Sequence, residues 1–213
     1  MENLSEQLDL FIDEYPPDLY RGPIFCMAVV DVPPVFSEVT NSLDFFGVLS
    51  NSGVRAYLGY VDTRKEIDIL NYKKNKVFFE KDDINGPNMF WSTVAIYCVV
   101  GFLTSFYKFN SPSINLFHDP KTMSDEHRLA MHDFLKQQIP KWFGAFSDGR
   151  AKPHIANIQE GEKSSIGIKA ADFVTREFIK NGAEKLKRFP SVILQDLSRY
   201  VAENPRQLSF IDS

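Results

Sequence analysis

Apolar and polar positions along the chain alternate between the two-residue period of strands and the 3.6-residue period of helices, and this switching predicts the elements. Leu8-Asp9-Leu10-Phe11-Ile12 reads as a first strand closed by Asp13-Glu14, because Tyr15-Pro16-Pro17 cannot continue a central strand. Ile24 to Val32 is a nearly continuous apolar run after Gly22-Pro23, so it reads as a buried strand antiparallel to the first. Phe36, Val39, Leu43, Phe46 and Leu49 recur at helical spacing up to Asn51-Ser52-Gly53, which predicts a helix over 36–49. Val54 to Val61 is the third strand, and 63–83 is a polar connection with an apolar spot at Val77-Phe78-Phe79.

The second half reads as alternating helices and strands. A helix over about 88–109 leads to a strand at Ile114-Asn115-Leu116-Phe117, which stops at His118-Asp119-Pro120. Ser124 is a suitable N-cap for a helix that runs to about Gly144, with Asp125 and Glu126 complementing its dipole. His154 to Ile158 forms a short strand, and Ile168, Ala171, Val174 and Phe178 mark the apolar face of a helix over about 166–180, closed by Gly182. Residues 183–213 are expected to be a C-terminal helical extension with a polar tail. The apolar residues Val192, Ile193, Leu194 and Phe210 would either cover the sheet or make a homodimer contact. Two early antiparallel strands followed by strand-helix-strand crossovers predict one α/β domain over 1–213, with a mixed sheet whose later strands are parallel.

Composition narrows this picture. With 213 residues, 44% hydrophobic and 24% charged, the chain can bury a full core without staples. The 24 residues from Ile84 to Tyr107 carry no charge, long enough for a membrane span, yet Asn85, Gly86, Pro87, Asn88, Ser92 and Thr93 interrupt them; a core helix, and no membrane partner, is the expectation. Cys26 and Cys98 sit in apolar runs, and Met1 to Glu6 lacks the features of a secretory signal. A reducing, cytoplasmic location is therefore expected. A net charge of -4 excludes a protein wrapped in positive field, although local basic clusters at Lys73-Lys74-Lys76 and Lys180-Lys185-Lys187-Arg188 remain. None of His118, His127, His132 and His154 pairs at zinc-ligand spacing on one helix face. His118 reads as a structural histidine or as a proton carrier beside Asp119.

Three acidic positions fall in comparable places: Asp13-Glu14 ending the first strand, Asp119 ending a later one, and Asp172 on the inner side of a late helix. Ligands of open α/β sheets sit beyond the carboxyl ends of strands. Carboxylates brought together there repel one another, and a hard cation is the natural remedy. Asp13-Glu14 also reads as a solvated strand end, and Asp172 as an ion-pair partner of Lys169 or Arg176 on its own helix.

Leu10-Phe11-Ile12-Asp13-Glu14, Phe25 to Pro33, and Ser164-Ser165-Ile166-Gly167-Ile168-Lys169-Ala170-Ala171-Asp172-Phe173 resemble, in order, the domain of unknown function 3800 family. The resemblance implies a ribonuclease H-like fold with a five-stranded mixed sheet and an acidic two-metal site. It assigns Asp13, Glu14, Asp119 and Asp172 as catalytic metal ligands for Mg²⁺ or Mn²⁺. The expected function is then a divalent-metal-dependent nuclease or phosphodiesterase acting on nucleic acid, with Lys163 and Lys169 holding the phosphate backbone. Tyr15-Pro16 stands where the family carries Ser-Gly, which motivates a second expectation of a non-catalytic binding or regulatory module. A metal-dependent phosphohydrolase of a small molecule is the third.

Overall fold

The computed structural model describes residues 7–16, 22–33, 47, 49, 53–64, 86–107, 112–121, 123–163 and 165–207. The helix expected over 36–49 lies, apart from Gly47 and Leu49, outside the described residues, as do most of the connection over 63–83, the cluster Lys73-Lys74-Lys76, and 208–213.

Among the described residues six strands make one mixed sheet in the order β5-β4-β1-β2-β3-β6. They are β1 Gln7–Tyr15, β2 Ile24–Asp31, β3 Arg55–Asp62, β4 Ser113–His118, β5 His154–Glu160 and β6 Val192–Asp196. β1, β2 and β3 pair antiparallel; β4 pairs parallel with β1, β5 with β4, and β6 with β3. This is a ribonuclease H-like α/β arrangement with one strand more than the five expected. The extra strand, β6, falls inside the segment read as a helical extension. Val192-Ile193-Leu194 gains from docking on the open edge of β3, where Ala56, Tyr57 and Leu58 are its register partners. That is a tertiary contact with no local period to announce it.

The helices are α1 Gly86–Phe106, α2 Asp125–Phe146, α3 Ile166–Asn181, α4 Ala183–Leu186 and α5 Ser198–Gln207. The predicted Ser124 cap forms, its hydroxyl accepting from the His127 amide at 3.3 Å, and the structure adds a second one at Ser165, whose hydroxyl accepts from the Ile168 amide at 3.3 Å. Strand alternation sorts the core into two halves. Leu8, Leu10, Ile12, Met27 and Val29 meet α1 and α2 on one face, while Cys26, Ala28, Val30 and Leu58 meet α3 on the other. α1 is long and apolar enough to cross a membrane, but 78% of its apolar window is buried, so packing between the sheet and its neighbouring helices accounts for its hydrophobicity. Cys26 and Cys98 are free thiols in these two cores.

Candidate functional site: an acidic cleft on the α3 face

The decisive local fact is that β1 runs through Asp13 and Glu14 to Tyr15 and does not stop before them. Adjacent residues of a strand point to opposite faces. Asp13, opposite Ala28 in the register, therefore looks toward α3, and Glu14, opposite Met27, looks toward α1.

On the α3 face, a cleft of about 240 Å³ is lined by Asp13, Tyr15, Asp119, Lys163, Lys169, Asp172 and Arg176, together with Glu14 and Ile168. Asp119 arrives from the end of β4, where its amide donates to the Ile12 carbonyl at 3.3 Å. Asp172 arrives from the second turn of α3, which lies close on β1 because residue 167 is glycine. A Cβ there would sit 2.1 Å from the Phe11 ring. Gly167→Val is accordingly expected to lift α3 off β1 and cost about 1–3 kcal/mol of stability, the penalty of overpacking. Chemical denaturation measures it, and an unchanged midpoint would refute the close approach as the reason for the glycine.

Three aspartates thus converge, and their electrostatics show it. Burial, reinforced by Asp172 and Asp119, raises the Asp13 carboxyl to about 7 against the pull of Lys121. Burial also raises Asp119, while Lys163 opposes the rise. Each aspartate has a cation nearby: Arg176 Nε donates to Asp172 Oδ1 at 2.5 Å, and Lys163 Nζ stands 3.9 Å from Asp119 Oδ2. Arg176 also lies over the Tyr15 ring, 6.0 Å from its centroid.

Glu14 belongs to a different environment. Its carboxylate accepts from Trp91 Nε1 at 2.9 Å and pairs with Lys121, itself held over the Trp91 ring. Burial lowers the Lys121 ammonium while Asp13 raises it. Beside this node His118 is 1% exposed. Its Nδ1 is 2.8 Å from the Asp119 carbonyl and therefore carries the proton, leaving Nε2 to accept from His132 Nε2 at 2.8 Å. Burial lowers both imidazoles, His132 to about 4, and so favours their uncharged forms. His118 is a satisfied structural histidine on the far side of the sheet from the cleft.

The expected site residues therefore divide. Asp13, Asp119, Asp172, Lys163 and Lys169 share one cleft, and the Glu14 side chain is tied up on the opposite face. Sequence reasoning passed over Lys121 and Trp91. Lys121 had one signal, its place two residues beyond Asp119, where a chain leaving β4 can fold back across the strand ends; Trp91 had none, being one aromatic in an apolar helix. Three aspartates offer the oxygen donors that Mg²⁺ or Mn²⁺ prefers, so the donor chemistry fits such an ion. Among the described residues, no three His, Cys, Asp or Glu side chains are already gathered on one point. No family model, curated protein or solved structure matches the chain.

Proposed function

We propose that the chain is a divalent-metal-dependent nuclease or phosphodiesterase whose site is the Asp13, Asp119 and Asp172 cleft. The observation that carries this reading is the convergence of three aspartates from a strand interior, a strand end and a helix, at a place where burial, with Asp172 and Asp119 adding to it, raises Asp13. Natural packing avoids such crowding unless a ligand repays it. Bound Mg²⁺ or Mn²⁺ would supply a Lewis acid and a water of lowered pKa. The chain itself contributes three carboxylates to hold the ion and an open mouth between β1 and α3. Lys163 and Lys169, on the rim, attract a phosphate backbone. Glu14 acts here as a positioning residue: with Trp91 and Lys121 it anchors the strand that carries Asp13. The reducing, cytoplasmic setting inferred from the thiols belongs to the same proposal.

Asp13→Ala and Asp172→Ala, assayed with Mn²⁺ on single- and double-stranded DNA and RNA, are each expected to reduce cleavage by at least about 10²-fold, the scale of losing an electrostatic catalytic group. Unaltered cleavage by both variants would end the nuclease reading. A screen of nucleotides and phosphate monoesters alongside tests the small-molecule phosphohydrolase. One observation favours the non-catalytic module: each aspartate of the cleft already has a lysine or arginine in attendance. Calorimetry with Mn²⁺ separates the two, since that module is expected to give no binding heat.

A further inference from the structure

The three cations that attend the cleft's aspartates are not equivalent. Lys121 is 16% exposed and locked between Glu14 and Trp91, so it cannot leave without stranding a buried carboxylate. Lys163 is 74% exposed and, at 3.9 Å from Asp119, is beyond hydrogen-bonding distance. Arg176 combines a short hydrogen bond to Asp172 with 65% exposure of its own side chain. It is one turn further along the same exposed helix face, so its long stem can swing without disturbing the backbone. The guanidinium already lies toward the face of Tyr15, 6.0 Å from its centroid, a contact it can keep when the hydrogen bond to Asp172 opens.

From this geometry we infer that Arg176 is a displaceable internal cation: it holds Asp172 until a divalent ion takes the carboxylate, whereupon the guanidinium lets go of Asp172 and stays against Tyr15 at the cleft mouth. The inference rests on the metal reading of this cleft. A guanidinium and a divalent ion on one carboxylate repel each other, so the arginine and the ion compete for Asp172, and the apparent affinity for the ion is lowered by the population in which the arginine holds its partner. Exposed i,i+4 ion pairs are weak, which makes the arginine easy to displace. Tyr15, in the position that departs from the Ser-Gly pattern, then has a role as the wall against which the released guanidinium rests. There its charge would face an anionic group entering the cleft.

The test is an Mn²⁺ titration, by calorimetry or by the electron spin resonance of the free ion, of the full chain and of Arg176→Gln, with Asp13→Asn/Arg176→Gln as control. Arg176→Gln is expected to bind Mn²⁺ at least tenfold more tightly than the unaltered chain, and the control to lose that gain. Equal affinity of the unaltered chain and Arg176→Gln, accompanied by a lower melting temperature, overturns the inference, marks Arg176 as a structural ion-pair partner and leaves the metal reading standing. Absence of binding to either protein overturns the metal reading, and the inference with it.

Discussion

Lys121→Met is expected to destabilise the protein by about 3–5 kcal/mol, the cost of removing one partner from a buried ion pair. The Glu14 carboxylate would keep its hydrogen bond from Trp91 Nε1 but lose its countercharge in a site that excludes water, since Glu14 is 5% exposed. The signature is asymmetry. Glu14→Gln/Lys121→Met removes both charges while leaving an oxygen for Trp91 to donate to, and is expected to recover most of the loss. Urea denaturation of the three proteins decides the point: a double variant as unstable as Lys121→Met would show that the lysine matters for packing and not for pairing with Glu14. Met supplies a similar apolar stem, so the comparison isolates the charge.

The second large effect is at Asp13, where function and stability should move in opposite directions. Asp13→Asn is expected to abolish Mn²⁺-dependent cleavage and yet to stabilise the metal-free protein near pH 8 by about 1–2 kcal/mol, roughly one unit of pKa displacement after allowing for the coupling to Lys121. The sign follows from the shift. The folded-state pKa of Asp13 lies above its ordinary value of 3.8, so the native protein binds this proton more tightly than the unfolded chain does. Its contribution to stability is present at low pH and is lost as pH rises from about 4 to about 7. The slope of stability against pH over that interval should flatten in Asp13→Asn. An unchanged slope, or a destabilised variant at pH 8, would show that burial and the neighbouring aspartates do not hold the Asp13 carboxyl above its ordinary range. Metal binding provides a cross-check: ionising Asp13 to receive Mn²⁺ releases its proton, so affinity for the ion is expected to rise over the same interval.

Much of the fold was legible because the relevant forces are local. The period of Leu8, Leu10 and Ile12 marks β1, the uninterrupted apolar run from Ile24 marks a strand covered on both sides, and Ser124 caps the helix it precedes because its hydroxyl reaches the next turn's amide. The candidate site was legible in outline for the same reason. Asp119 follows the last apolar residues of a strand, and Asp172 shares a helix with Ile168 and Ala171 at spacings that set it at the margin of the buried face.

What failed did so at element ends and edges. Asp13 and Glu14 read as a pair closing a strand before prolines, and as a pair they would serve one site. Because β1 continues through Tyr15 in register with Cys26, the pleat sends them to opposite faces. Tyr15 then lines the cleft beside Arg176, and Glu14 finds Trp91 and Lys121. Likewise Val192 to Asp196 carries no signal that separates a short edge strand from a helical tail until the free edge of β3 is present to pair with it.

By itself, then, the order of residues determined the alternation of strands and helices, the caps, the apolar faces and the acidic residue types available for chemistry, since each depends on neighbours within a turn or a pleat. Only the tertiary structure decided which carboxylates meet. Asp13, Asp119 and Asp172 are more than fifty residues apart from one another, and their convergence depends on the β1–β4 register and on α3 reaching β1 across Gly167, which are contacts between segments that carry no mark of each other in sequence.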